Sequence, residues 1–134
     1  MRKDPASVHV DIMRSQLGRA RGLGSSKTGV HHWWAQRLTA VALLPLSLYF
    51  VVSVIILDHA TREQVAAYIG EPWNTVLYLC LIAAMFYHLL LGMQVVVEDY
   101  VHTEAGKLTL LVLIKGGIIF CALASAVSVL KLAF

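Results

Sequence analysis

The residues able to do chemistry are few, and most of them lie on one apolar stretch, FYHLLLGMQVVVEDY, which holds His88, Gly92 and the pair Asp99–Tyr100. A histidine inside such a run is costly to bury and is a functional residue by default. Gly92 follows it by four residues on the same helical face and leaves a shallow notch there. Asp99 lies eleven residues after His88, three helical turns, and so returns to nearly the same face about 16 Å along the axis. One stripe thus joins a mid-membrane imidazole to a polar mouth. A neutral imidazole in that position is a standard axial ligand for haem iron; an interhelical hydrogen bond is the alternative. His9, His31, His32, His59 and His102 all fall outside the apolar spans, so a second mid-membrane ligand has to come from another chain or another copy.

A second cluster precedes the first apolar run, in GVHHWWAQRL, where His31, His32, Trp33, Trp34 and Arg37 crowd together. Trp33 and Arg37 are four apart and share a helix face. The cluster reads either as an interfacial anchor or as a site for an anionic group, which the planar guanidinium suits. Lys115, inside the last apolar run, reads as a snorkelling side chain, with a partner carboxylate or a propionate as the alternative. Cys80 and Cys121 sit in different spans without C-x-x-C spacing and read as small buried hydrophobes. Hydrolytic chemistry has no candidate triad, and the chain contains no P-loop, dinucleotide fingerprint or internal repeat. No nucleic-acid partner is expected.

The elements that position these groups follow from composition. The 134 residues are 58% hydrophobic and 14% charged, too little polar surface to coat a soluble globule. A membrane span needs about 20 apolar residues, and three windows qualify, 38–57, 75–97 and 108–130. The expected fold is all-α, an integral membrane domain of three transmembrane helices over 31–134, preceded by a basic cytoplasmic segment over 1–30. Pro45 is expected to bend the first helix. Gly117, Cys121 and Ser125, spaced four apart, are expected to form a close packing face on the third. The segment before the first span lacks a secretory cleavage pattern, and Asp4 and Asp11 count against a mitochondrial presequence.

The chain resembles, over about residues 24–131, the small D-type membrane-anchor subunit of succinate dehydrogenase, the bacterial succinate:quinone oxidoreductase. The resemblance rests on GSSKTGVHHWWAQRLTAVAL at the head of the first span and on HLLLGMQVVVEDYVH, in which the spacing from His88 to Asp99–Tyr100 matches the family pattern. Two departures stand out: Gln94 follows Met93 directly rather than one place later, and His31 is doubled by His32. The resemblance implies a three-helix anchor in the bacterial inner membrane. It implies pairing with a C-type cytochrome b anchor subunit, haem b shared between the two anchors, and docking of an iron-sulfur subunit and a flavoprotein subunit. His88 would be the axial ligand of the haem iron, and His31 and Arg37 would lie near the propionates. Tyr100 would donate a hydrogen bond to a carbonyl of ubiquinone, and Asp99 would orient groups beside it. The implied function is transfer of electrons from succinate oxidation to ubiquinone. A fumarate reductase anchor and a small histidine-containing transporter subunit are the alternatives.

Topology follows from charge. Arg2, Lys3, Arg14, Arg19, Arg21, Lys27 and Arg37 outweigh Asp4 and Asp11, which holds the N-terminal side in the cytoplasm and, after three crossings, puts Phe134 outside. The loop over 58–74 should face outward and that over 98–107 inward. We expect alkaline phosphatase fused after Phe134 to be active and the N-terminal fusion to be inactive; the reverse activities would overturn this orientation.

Overall fold

The computed structural model of the chain describes Leu17 and residues 29–134, so the basic segment expected over 1–30 falls almost wholly outside the described residues. Four helices follow one another: α1 (Gly29–Ile56), α2 (Arg62–Gly70), α3 (Pro72–Tyr100) and α4 (Glu104–Ala133). No strand occurs among the described residues. The fold is all-α, and α1, α3 and α4 are each long and apolar enough to cross a membrane.

Helices α3 and α4 extend beyond their apolar windows at both ends, and α1 extends beyond its window at the start. Pro72 starts α3, where its missing N–H would have had no intrahelical partner. At the other end the Val101 N–H still bonds to the Val97 carbonyl. The segment over 98–107, expected as a loop, shrinks to Val101–Thr103, and Asp99 and Tyr100 close the last turn of α3. The loop expected over 58–74 contains α2, whose capping box pairs the Thr61 side chain with the Gln64 N–H and the Gln64 side chain with the Thr61 N–H. Between α1 and α2 the chain reverses through His59, whose φ of 65° lies in the left-handed region. Pro45 stands inside α1, which runs through it without interruption.

Helices α3 and α4 pack together, and α2 packs on both. The end of α2 meets the end of α4 closely: a Cβ on Gly70 would stand 3.3 Å from the Ala133 carbonyl oxygen. Polar side chains tie α1 to this framework at the α2 end. The Tyr49 hydroxyl donates to Asn74 Oδ1 at 2.8 Å, and Asn74 Nδ2 donates to the Tyr68 carbonyl at 2.7 Å. Ser53, fully buried, donates to the Tyr49 carbonyl at 2.8 Å, which leaves its oxygen to accept from the Tyr68 hydroxyl at 3.1 Å. Tyr78 stacks edge-on against both Tyr49 and Phe50. In an apolar slab each of these groups would cost several kcal/mol if left alone, so the network fixes where α1 lies.

The interior is otherwise small. Ile69, Tyr78, Leu91 and Val97 are the buried hydrophobic residues, while Leu38, Leu44, Phe120 and Leu123 stay exposed. No residue of α4 is buried. The close packing face expected at Gly117, Cys121 and Ser125 is not used within the chain: a Cβ on Gly117 would meet nothing within 4 Å, and Cys121 is exposed. Nor is Cys80 buried. Both cysteines face outward, which corrects their reading as buried hydrophobes, because helices this apolar turn much of their surface to lipid or to another subunit.

Ser53 is fully buried, so Ser53→Leu should overpack the α1–α2 contact and cost about 1–3 kcal/mol. A lowered thermal midpoint of the detergent-solubilised protein, with Ser53→Ala affected less, checks this.

Candidate functional site

His88 lies within α3, about 18 Å in helical rise from Tyr100. It is half-buried, and it turns toward α1. Its Nδ1 is 2.9 Å from Thr39 Oγ1 and its Nε2 is 3.2 Å from Gln36 Nε2. The interhelical hydrogen bond expected as the alternative for this histidine is therefore present, on both ring nitrogens. Neither Thr39 nor Gln36 stood out in the sequence, although a polar pair three residues apart on one face of an apolar span is a legible signal.

The notch at Gly92 is real but occupied. A Cβ there would lie 3.7 Å from Gln36 Nε2, an ordinary contact, so the Gln36 amide fills the space beside the imidazole. The same amide leaves its Oε1 buried without a partner, and His32 Nε2 is buried without one as well. His32, Gln36 and Thr39 follow at helical spacing on α1, so a polar strip faces His88. Two unsatisfied buried atoms on one strip are uncommon in a native interior.

At the head of α1 the structure separates the doubled histidines. His31 is exposed and borders an open cavity of about 320 Å³ with Trp34, Leu38, Thr39 and Tyr87, whereas His32 is half-buried. Arg37 lies 3.7 Å above the Trp33 ring, the contact their four-residue spacing implies, and Trp33 meets Trp34 edge-on. At the far end of the stripe, Asp99 and Tyr100 are both exposed, with Tyr100 at 78%. His102 Nδ1 lies 3.0 Å from the Tyr100 carbonyl, and Gln94 donates to Glu98 at 2.8 Å. Lys115 is half-buried, and among the described residues no carboxylate pairs with it. No group of three His, Cys, Asp or Glu side chains able to hold a metal ion occurs among the described residues.

A cavity of about 660 Å³ opens between α1, α3 and α4 in the other half of the bundle, bordered by Ser47, Phe50, Tyr78, Met85 and Ser125 among others. Its serines donate to their own helices, Ser47 to the Leu44 carbonyl and Ser125 to the Cys121 carbonyl, so the wall is effectively apolar.

Comparison with known proteins bears on this arrangement. Residues 11–124 match the family described as the succinate dehydrogenase/fumarate reductase transmembrane subunit. The chain belongs to this family. The succinate dehydrogenase hydrophobic membrane anchor subunit of Rickettsia bellii is 32% identical over 102 residues, 76% of this chain and 82% of its own length. That of Rickettsia typhi is 30% identical over 110 residues, 82% and 86% of the two chains. That of Paracoccus denitrificans is 32% identical over 81 residues, 60% and 63% of the two. The chain is thus a multi-pass membrane anchor of succinate dehydrogenase, an oxidoreductase, and the transporter alternative is set aside.

Proposed function

We propose that this anchor binds haem b through His88 and helps bind ubiquinone near Tyr100, so that electrons from succinate oxidation reach ubiquinone in the respiratory chain. The observation that carries the reading is the half-buried imidazole of His88 facing a polar strip on α1 with two buried, unpartnered atoms, Gln36 Oε1 and His32 Nε2. The residues present fit such a group. His88 would hold the iron through one ring nitrogen, and haem there would supply one-electron chemistry whose potential depends on the ligand and its surroundings. Because His88 is the one histidine at this depth among the described residues, a second ligand would come from a partner anchor of cytochrome b type.

The chain's own residues then divide the work along α3 and α1. Arg37 and His31, at the head of α1, would lie near the propionate carboxylates, where the Arg37 guanidinium suits such an anion, and His32 is the more buried of the two histidines. Tyr100 closes α3 with its phenol exposed, where it can donate to a quinone carbonyl. Asp99 and His102 stand within two residues of it and can pass protons from the aqueous side. The broad apolar surface left on α1 and α4 suits pairing with the second anchor, and an iron-sulfur and a flavoprotein subunit would complete the complex on the cytoplasmic face. The bacterial inner membrane, with the segment over 1–30 in the cytoplasm, is the setting that the charge asymmetry supports.

His88→Ala should abolish or strongly weaken haem binding in the purified complex, read as loss of the b-type bands on reduction. Retention of haem at an unchanged midpoint potential would overturn the assignment. Tyr100→Phe should lower quinone reduction while leaving assembly, haem content and succinate oxidation by a soluble acceptor intact, since it deletes one hydroxyl and keeps the interfacial ring. Loss of one such donor costs roughly 10² in rate where it acts alone, and less where partner subunits donate to the same oxygen. The check is the ratio of quinone-linked to soluble-acceptor activity in the same membranes, which should fall.

A further inference from the structure

The structure assigns Thr39 as the residue that fixes the tautomer of His88 and thereby sets the basicity of its Nε2. The inference rests on the reading of His88 as a haem ligand and deepens it.

The argument is one of hydrogen counting. The Thr39 hydroxyl has one proton, and two carbonyl acceptors lie behind it on its own helix, Ala35 at 2.8 Å and Gln36 at 3.0 Å. This back-bonding is what a threonine in an apolar helix does with its proton. The oxygen that faces His88 Nδ1 at 2.9 Å is then an acceptor, so the proton in that contact belongs to the imidazole. With Nδ1 protonated, Nε2 carries a lone pair, and the group 3.2 Å from it is the Gln36 amide nitrogen, which can only donate. All three contacts are satisfied together by this assignment. The opposite tautomer would strip Thr39 of its helical bond and require the Gln36 amide to be turned round.

A lone pair on Nε2 is what an axial ligand needs, and a hydrogen bond accepted from the other ring N–H fixes the ring and raises the ligand's basicity. A more basic ligand favours ferric over ferrous iron. Removing the acceptor should therefore raise the midpoint potential of the haem. Thr39 is thus a positioning residue, acting through His88. The Gln36 amide now contacts Nε2, and it would have to leave that nitrogen for the iron to bind there.

The test uses the whole complex purified with its partner subunits, with haem potential read by redox titration of the b-type bands. Thr39→Val keeps the shape and removes the acceptor; Thr39→Ser keeps the acceptor. We expect Thr39→Val to raise the potential by up to about tenfold in ferric-to-ferrous preference, about 59 mV for a one-electron couple. Thr39→Ser should remain at the parent value. If Thr39→Val fails to assemble, Thr39→Cys, whose sulfur accepts weakly, should give a smaller rise in the same direction. An unchanged potential in the assembled Val or Cys variant, with haem lost in His88→Ala, overturns the role of Thr39 and leaves that of His88 standing. Haem retained at an unchanged potential in His88→Ala overturns the reading beneath both.

Discussion

Polar groups inside an apolar slab must find partners within the protein, and this constraint organises the whole chain. There is no water at that depth to accept or donate, so a hydroxyl, amide or imidazole either bonds to its own helix or ties two helices together. Both solutions occur. Ser47, Thr109, Ser125 and Ser128 return their protons to their own backbone carbonyls and contribute nothing between helices. Gln36 and Tyr49 join α1 to the elements beside it, at two levels, and Thr39 and Ser53 do so through their oxygens while returning their protons to α1. Each such bond is worth only about 0.6 kcal/mol on average and at most about 1.7. Their value lies in position: two clusters near opposite ends of α1 fix both its height and its rotation.

The two levels differ in completeness. At the α2 end the Tyr49, Asn74, Tyr68 and Ser53 network is closed, each hydroxyl and amide engaged with a neighbour. At the His88 level the network is open, with the Gln36 carbonyl oxygen and a His32 nitrogen left unbonded in the interior. A closed network holds a bundle together; an open one keeps capacity for another polar group. The broad exposed apolar faces of α1 and α4 stand beside this level, with few residues of either helix buried within the chain.

The sequence alone determined the fold class and the three spans, and it put His88 within the second of them. Apolar windows of about 20 residues admit one structure in lipid, and helical rise converts residue spacing directly into depth. The contact between Trp33 and Arg37 was legible for the same reason, because neighbours four apart on a helix meet whatever else the protein does. What only the tertiary structure decided was rotation and partnership. The spans are apolar nearly all round, so no periodic signal says which face of α1 turns to α3 or which of His31 and His32 is buried. For that reason the small-residue face of α4 could be read as a packing surface, although a Cβ on its Gly117 would meet nothing within 4 Å. The engagement of His88 by Thr39 and Gln36, residues 49 and 52 positions away, depends on how two helices cross, and a crossing is fixed by the sum of contacts on both, not by any local pattern in either.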